Sequence, residues 1–251
     1  MALIDPDLLL RAYAIGVFPM SDGRDTPDVY WVEPRRRAIL PIEDFHLSRS
    51  LRKTLRSDRF TVTRDTAFAQ VIRRCAQRPE TWINRSIEDS YLDLHARGSA
   101  HSIEAWQDGE LVGGLYGVRL ATAFFGESMF SDATDASKVA LAWLVARLKV
   151  GGFRLLDCQF MTGHLRSLGA VEISQKLYLE LLAAELDAAA ELSRQGALAG
   201  GAAAGGALAG GDLGRAAGAA APPDFGALEL ALASAGASPG CVISQLLVHT
   251  S

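Results

Sequence analysis

The stretch HSIEAWQDGELVGGLYGVRLATAFFGESMF, residues 101–130, constrains the fold more than any other part of this 251-residue chain. Apolar and polar residues alternate along it on both sides of Asp108-Gly109. Strand side chains point to opposite faces with a period of two, and an Asp-Gly pair supplies the positive φ angles of a tight hairpin. The stretch therefore predicts antiparallel strands with one face on a core. Such a face must be covered by another layer. ASKVALAWLVARLKV (136–150) predicts a covering helix, stopped by Gly151-Gly152. FRLLDCQF (153–160) then reads as a further strand, and ISQKLYLELLAAELDAAAEL (173–192) as a further helix. The fold class is α/β in the broad sense, with segregated (α+β) character.

The preceding residues, 1–98, read as a small N-terminal domain, helical and partly extended. Asp5 can cap a helix with Pro6 at its first position, and Gly16 can end it. VYWVEPRRRAILPI is extended and turned at Pro34. Leu47, Leu51 and Leu55 recur at i, i+4 and i+8, and amphipathic patterns return over 66–78 and 86–97. Residues 99–182 form the core of the second domain. Over 183–240 the composition shifts to 22 alanines and 12 glycines among 58 residues. Side chains that small cannot bury enough apolar area to offset chain entropy, so a flexible insertion is expected, most clearly over 196–223. Residues 241–251, CVISQLLVHTS, regain a strand-like pattern that can dock back on the core.

A net charge of −4 leaves any nucleic-acid role to a local patch. Cys75, Cys158 and Cys241 form no CxxC pair, which argues against a disulfide framework or a cysteine zinc site and fits a reducing cytoplasm. The start lacks a basic region followed by a long apolar run, and no apolar stretch reaches about 18 residues. Neither a secretory signal nor a membrane span is expected.

Most catalytic templates fail. Gly126-Glu127-Ser128-Met129-Phe130 lacks the closing glycine of a nucleophile elbow, and HExxH and GxxxxGK[ST] are absent from the sequence. No metal or cofactor is expected. Arg215 to Ala220 fits the loose RxxGxA pattern of acyl-CoA binding, but in low-complexity sequence. LLDCQF is more informative. Alternation puts Asp157 and Gln159 on one face and Cys158 on the other with Leu156 and Phe160, where a thiol is an unreactive small hydrophobe. An acid and an amide pointing together suit the positioning of a substrate. Periodicity alone slightly favours a solvated strand end.

HSIEAW, LVGGLYGV, FFGESMFS, DASKVAL, LLDCQF and SLGAVEI, in this order, resemble the leucyl/phenylalanyl-tRNA–protein transferase family. AYAIGVFPM, FHLSRSLRK, TRDTAFAQVI and TWI extend the resemblance over about residues 8–180. It implies an acetyltransferase-like (acyl-CoA N-acyltransferase) second domain whose donor is aminoacyl-tRNA rather than coenzyme A. It implies transfer of Leu or Phe, less often Met, to proteins with an N-terminal Arg or Lys, marking them for degradation. A cytoplasmic enzyme, without a cofactor and acting as a monomer, is expected. Asp157 and Gln159 match the family's acid–amide pair, which orients and polarises the attacking amine, with Asp157 acting either as a general base or as an electrostatic orienter. Met129, Phe130 and Leu115 are then candidates for an apolar amino-acid pocket. Glu127 and Ser128 are candidates for contacts to the amino acid's amine or the terminal adenosine, on whose position Trp82 also falls. Arg49, Arg52, Lys53 and Arg56, with Arg59 and Arg35 to Arg37, form a basic patch suited to tRNA phosphates. Met20 stands where many members carry Trp, and YWVEP where others read WWSP. An acyl-CoA-dependent N-acyltransferase and a tRNA-binding module without catalysis are the alternatives.

Overall fold

The computed structural model describes residues 3–202 and 223–248. Helix α1 (Pro6–Ala14) starts as its sequence dictates, with Pro6 in the first turn and the Asp5 carboxylate accepting from the Leu8 N–H at 2.8 Å. Strands β1 (Phe18–Met20) and β2 (Tyr30–Val32) make a two-stranded ribbon. There follow β3 (Arg36–Ile39), α2 (Arg49–Arg56), β4 (Thr61–Arg64), α3 (Phe68–Ala76) and α4 (Arg85–Ala96). The anticipated hairpin is β5 (Ala100–Gln107) and β6 (Glu110–Leu120), joined by Asp108 and Gly109 at φ 53° and 83°. Next come β7 (Ala123–Ser131), α5 (Ala136–Val150), β8 (Leu155–Gln159), α6 (Gly163–Ser167), β9 (Val171–Ser174) and α7 (Gln175–Ala202). Helices α8 (Ala227–Ser234) and α9 (Pro239–Leu246) end the described chain.

Seven strands form one sheet in the order β4-β5-β6-β7-β8-β3-β9. Its β7–β8 pair is parallel and its other pairs are antiparallel. On one face Leu115, Phe124 and Leu156 pack with α5, which is buried nearly all round because α2, α8 and α9 cover its far side. On the other face Tyr116, Phe125 and Leu155 pack with Tyr13 of α1, Val71 of α3, Tyr91 of α4 and Tyr178 of α7. The architecture is a mixed α/β fold in three layers. The parallel pair is hydrogen-bonded only from Ala123–Phe125 to Leu155–Asp157, although β7 runs on to Ser131. Beyond Phe125 the two strands part, and the sheet opens.

Several boundaries differ from the sequence reading. Strands β3 and β4 lie in the same sheet as β5–β9, so no break in the fold falls near residue 98. Ile173 and Ser174, expected in a helix, belong to β9. Of the Ala/Gly-rich region, residues 183–202 continue α7, and its far end docks on the core. Phe225 is buried and stacks on Phe124 with ring centroids 5.5 Å apart. Arg147 donates to the Phe225 carbonyl at 2.6 Å and to both oxygens of Glu229 at 2.7 and 2.8 Å. The single aromatic of this region and one buried arginine thus supply the anchorage that alanine cannot. The RxxGxA match at 215–220 and most of the segment expected to be flexible, 203–222, lie outside the described residues.

The strand expected after residue 240 is also overturned, because α9 is helical. Pro239 opens its first turn, and Val242 and Ile243 turn inward. Gly240 allows the approach to α2, since a Cβ there would overlap the Leu55 carbonyl oxygen. Among the described residues no single helix is long and apolar enough to cross a membrane.

Candidate active site

The opening between β7 and β8 is a cavity of about 380 Å³. Leu115, Met129, Leu141, Leu144, Leu156 and Cys158 give it apolar walls. Trp82, Glu127, Ser128 and Gln159 add polar atoms. Two register shifts build it. Tyr116 pairs with Ser128 while Gly117 pairs with Gly126, so Glu127 is an extra residue in β7. Ala38 pairs with Gln159 while Ile39 pairs with Asp157, so Cys158 is an extra residue in β8. A bulge bends the strand and re-aims the side chains around it. Gln159 completes the turn of the chain at φ 60°.

Strict alternation therefore does not hold at LLDCQF. Cys158, expected in the closed core, lines the cavity, and burial pushes its thiol pKa up, so it is not a nucleophile at neutral pH. Asp157, expected beside substrate, lies beneath the cavity with no exposed surface. Its Oδ1 accepts from Arg37 Nε at 2.9 Å and from the Gln159 N–H at 2.8 Å. Its Oδ2 accepts from Arg37 Nη2 at 2.6 Å and Tyr178 Oη at 2.9 Å. With four donors on four lone-pair positions, the carboxylate has no free site for a substrate proton.

Arg37 is the partner that sequence reasoning placed on the basic surface. It is only 1% exposed, lies between the rings of Phe18 and Tyr178 at 4.7 and 4.6 Å, and donates to the Gly16 carbonyl at 3.1 Å. Burial opposes its charge, but Asp157 more than offsets that and raises its pKa. The available signal was its place in β3. Arg37 shares a face with Ile39, so a charge there requires a buried partner.

Glu127 faces the cavity at 8% exposure. Its Oε1 accepts from Tyr13 Oη at 2.6 Å and Gln159 Nε2 at 2.7 Å, and its Oε2 accepts from Tyr91 Oη at 3.0 Å. The two tyrosine hydroxyls also contact each other. Burial pushes the Glu127 pKa up to about 7, against the opposing effect of the tyrosine hydrogen bonds. The Gln159 bond fixes that amide, with Nε2 on Glu127 and Oε1 free to accept from another molecule. Sequence reasoning missed Tyr13, Tyr91 and Tyr178 altogether. They sit on three helices far apart in the chain, and each reads locally as a core aromatic.

The candidate lining residues divide. Leu115, Met129, Ser128, Glu127, Gln159 and Trp82 surround the cavity, whereas Phe130 lines a neighbouring one. Arg49, Arg52, Lys53 and Arg56 line a shared groove on α2. Arg36 pairs with Glu172 at 3.1 Å, and Arg59 donates to the Thr134 carbonyl. Among the described residues no group of three or more His, Cys, Asp or Glu side chains could hold a metal ion.

The family model described as leucyl/phenylalanyl-tRNA protein transferase matches residues 39–183, and the model of its N-terminal domain matches residues 3–35. The leucyl/phenylalanyl-tRNA–protein transferase of Rhizorhabdus wittichii is 58% identical over 255 residues, covering 100% of both chains. The chain belongs to the leucyl/phenylalanyl-tRNA protein transferase family. The transferase of Novosphingobium aromaticivorans is 55% identical and covers 99% of this chain and 97% of its own. That of Zymomonas mobilis is 64% identical over 184 residues, covering 72% and 69%. Among solved structures, FemX gives a TM-score of 0.45 at 13% identity over 70% of this chain and 71% of that one. The two family models together span the ribbon, nearly all of the sheet and the start of α7. The cavity and the partners of Glu127 thus lie within the matched region, while Arg37 falls in the short interval between the two models. Docked helices α8 and α9 lie beyond it, although the Rhizorhabdus transferase aligns through them.

Proposed function

We propose that the cavity holds the amino-acid side chain of Leu- or Phe-tRNA, and that the enzyme transfers that residue to an N-terminal Arg or Lys of a protein. The observation that carries this reading is the coupling of an apolar cavity to a Glu127–Gln159 pair at the split between β7 and β8. Leucine, phenylalanine and methionine share apolarity and length, and Met129 adapts to each. The Oε2 atom of Glu127 has a lone pair left to accept from the donor's own α-amino group. The ester to the tRNA ribose is already activated, so no covalent intermediate with the enzyme is needed.

In the transfer step the neutral α-amine attacks the ester carbonyl. The new C–N bond forms as the bond to the ribose oxygen breaks, and the amine's proton ends on that oxygen. Gln159 Oε1 accepts an N–H of the amine and orients its lone pair at the carbonyl. Asp157 is a positioning residue, holding the Gln159 backbone and Arg37 in place. Trp82 at the cavity rim suits stacking on the terminal adenosine, and the basic side chains of α2 suit the tRNA backbone. Free cysteines at 75, 158 and 241 suit the cytoplasm.

The test is transfer of radiolabelled Leu from Leu-tRNA to a peptide beginning with Arg. Label appears in the peptide with wild type and is strongly reduced with Gln159→Ala. Failure of the wild-type protein to transfer from tRNA, or transfer from acetyl-CoA instead, overturns the reading.

A further inference from the structure

A second cavity, of about 410 Å³, adjoins the first and shares Arg78, Met129 and His164 with it. No role in the transfer described above uses it. Arg74, Gln77 and Arg78 line it from the α3 side, Ser131 and Asp132 from the end of β7, and Ser137 from the start of α5. Arg74 contacts Asp132, and Arg78 contacts the Met129 carbonyl. A guanidinium carries five N–H groups, so each of these contacts leaves donors for a second acceptor. With Asp132 set against two arginines, the lining keeps an excess of positive charge.

His164 stands where the two cavities meet. Its Nε2 is buried without a hydrogen-bond partner. Burial and Lys138 lower its pKa, so the ring is neutral at neutral pH. Buried polar nitrogens are normally paired, so this orphan just beneath the lining of both cavities becomes a ligand partner once the ring turns toward them.

We propose that this second cavity binds the phosphodiester joining the terminal adenosine of the donor tRNA to the preceding nucleotide. This rests on the transfer reading above. An ester on the adenosine's ribose is one sugar away from that phosphate, so the phosphate must lie in a space contiguous with the amino-acid cavity. Arg74 and Arg78 then contact phosphate oxygens, the geometry for which guanidinium groups are suited. His164, at the junction, meets a ribose hydroxyl, which can donate or accept, after its ring turns out of the lining. The competing occupant is the acceptor peptide. Its N-terminal Arg or Lys is cationic and is repelled by the same arginines.

The experiment compares two minimal donors, leucyl-adenosine and leucyl-CpA, which differ by the phosphodiester and its nucleoside. Wild-type protein is expected to use leucyl-CpA with at least about tenfold higher kcat/KM. In Arg74→Gln that preference falls about tenfold, the worth of one charge-assisted hydrogen bond. Arg74→Lys recovers part of it. Because the readout is a ratio of two donors on one protein, a general loss of folding or of chemistry cancels. A wild-type ratio near one, or an unchanged ratio in Arg74→Gln, overturns the assignment and leaves the transfer reading standing. A change confined to the KM of the acceptor peptide overturns it in favour of the peptide. Wild-type protein inactive even with full-length Leu-tRNA overturns both.

Discussion

Glu127→Gln should remove a pH dependence of stability while leaving the fold intact. Burial raises the Glu127 pKa to about 7 from its usual 4.5. Between those two values the folded protein holds a proton that the unfolded chain has released. Stability therefore falls as pH rises through this window and levels off above it, the reverse of a salt-bridged carboxylate. The shift corresponds to about 3 kcal/mol in total, most of it between pH 5 and pH 7. Glutamine is the same shape and carries no charge. Its oxygen can keep the bonds from Tyr13 and Gln159, and its nitrogen can donate to Tyr91, whose hydroxyl already contacts Tyr13. Urea unfolding of the two proteins at pH 5, 6, 7 and 8 isolates the effect, because other titrating groups cancel in the difference. The wild-type midpoint should fall relative to the variant by roughly 1 M across the series, for an m-value of about 3 kcal/mol/M. Parallel midpoints from pH 5 to pH 8 would refute the assignment of a buried, proton-holding carboxylate to this position.

Asp157→Asn leaves the Arg37 charge buried without its counter-ion and should cost about 3–5 kcal/mol in urea unfolding; a loss below about 1 kcal/mol would contradict the pairing. Replacing the pair together, Arg37→Met with Asp157→Leu, should recover part of that loss while transfer remains impaired. Met129→Phe fills part of the cavity and should lower kcat/KM for Phe-tRNA about tenfold more than for Leu-tRNA; equal effects on both donors would remove Met129 from the amino-acid pocket. Charge reversal of Arg49 and Arg52 to Glu should weaken tRNA binding in fluorescence anisotropy. Its salt dependence should flatten by about 0.7–0.9 in log–log slope for each phosphate no longer neutralised; an unchanged slope would place the tRNA backbone elsewhere.

The parts of the fold set by local periodicity were legible in the sequence, and the parts set by strand neighbours were not. Asp108-Gly109 needs only its own φ preferences to make the hairpin, and Leu51 and Leu55 need only their spacing to face inward. By contrast, the placement of β3 between β8 and β9 joins residues more than 100 positions apart. Without that placement Arg37 reads as one of three surface arginines and Asp157 as a residue facing substrate. The bulges are illegible for the same reason, since an extra residue exists only relative to a partner strand. Gly117 hints at one, because a Cβ there would run into the Phe125 carbonyl oxygen. Both extra residues, Glu127 and Cys158, fall where β7 and β8 part. There the shifted register turns a carboxylate and a thiol toward the cavity, and Asp157 beneath it. A regular ladder would have closed the sheet, so the alternation that reads correctly along β5 and β6 has to fail at the site that holds the chemistry.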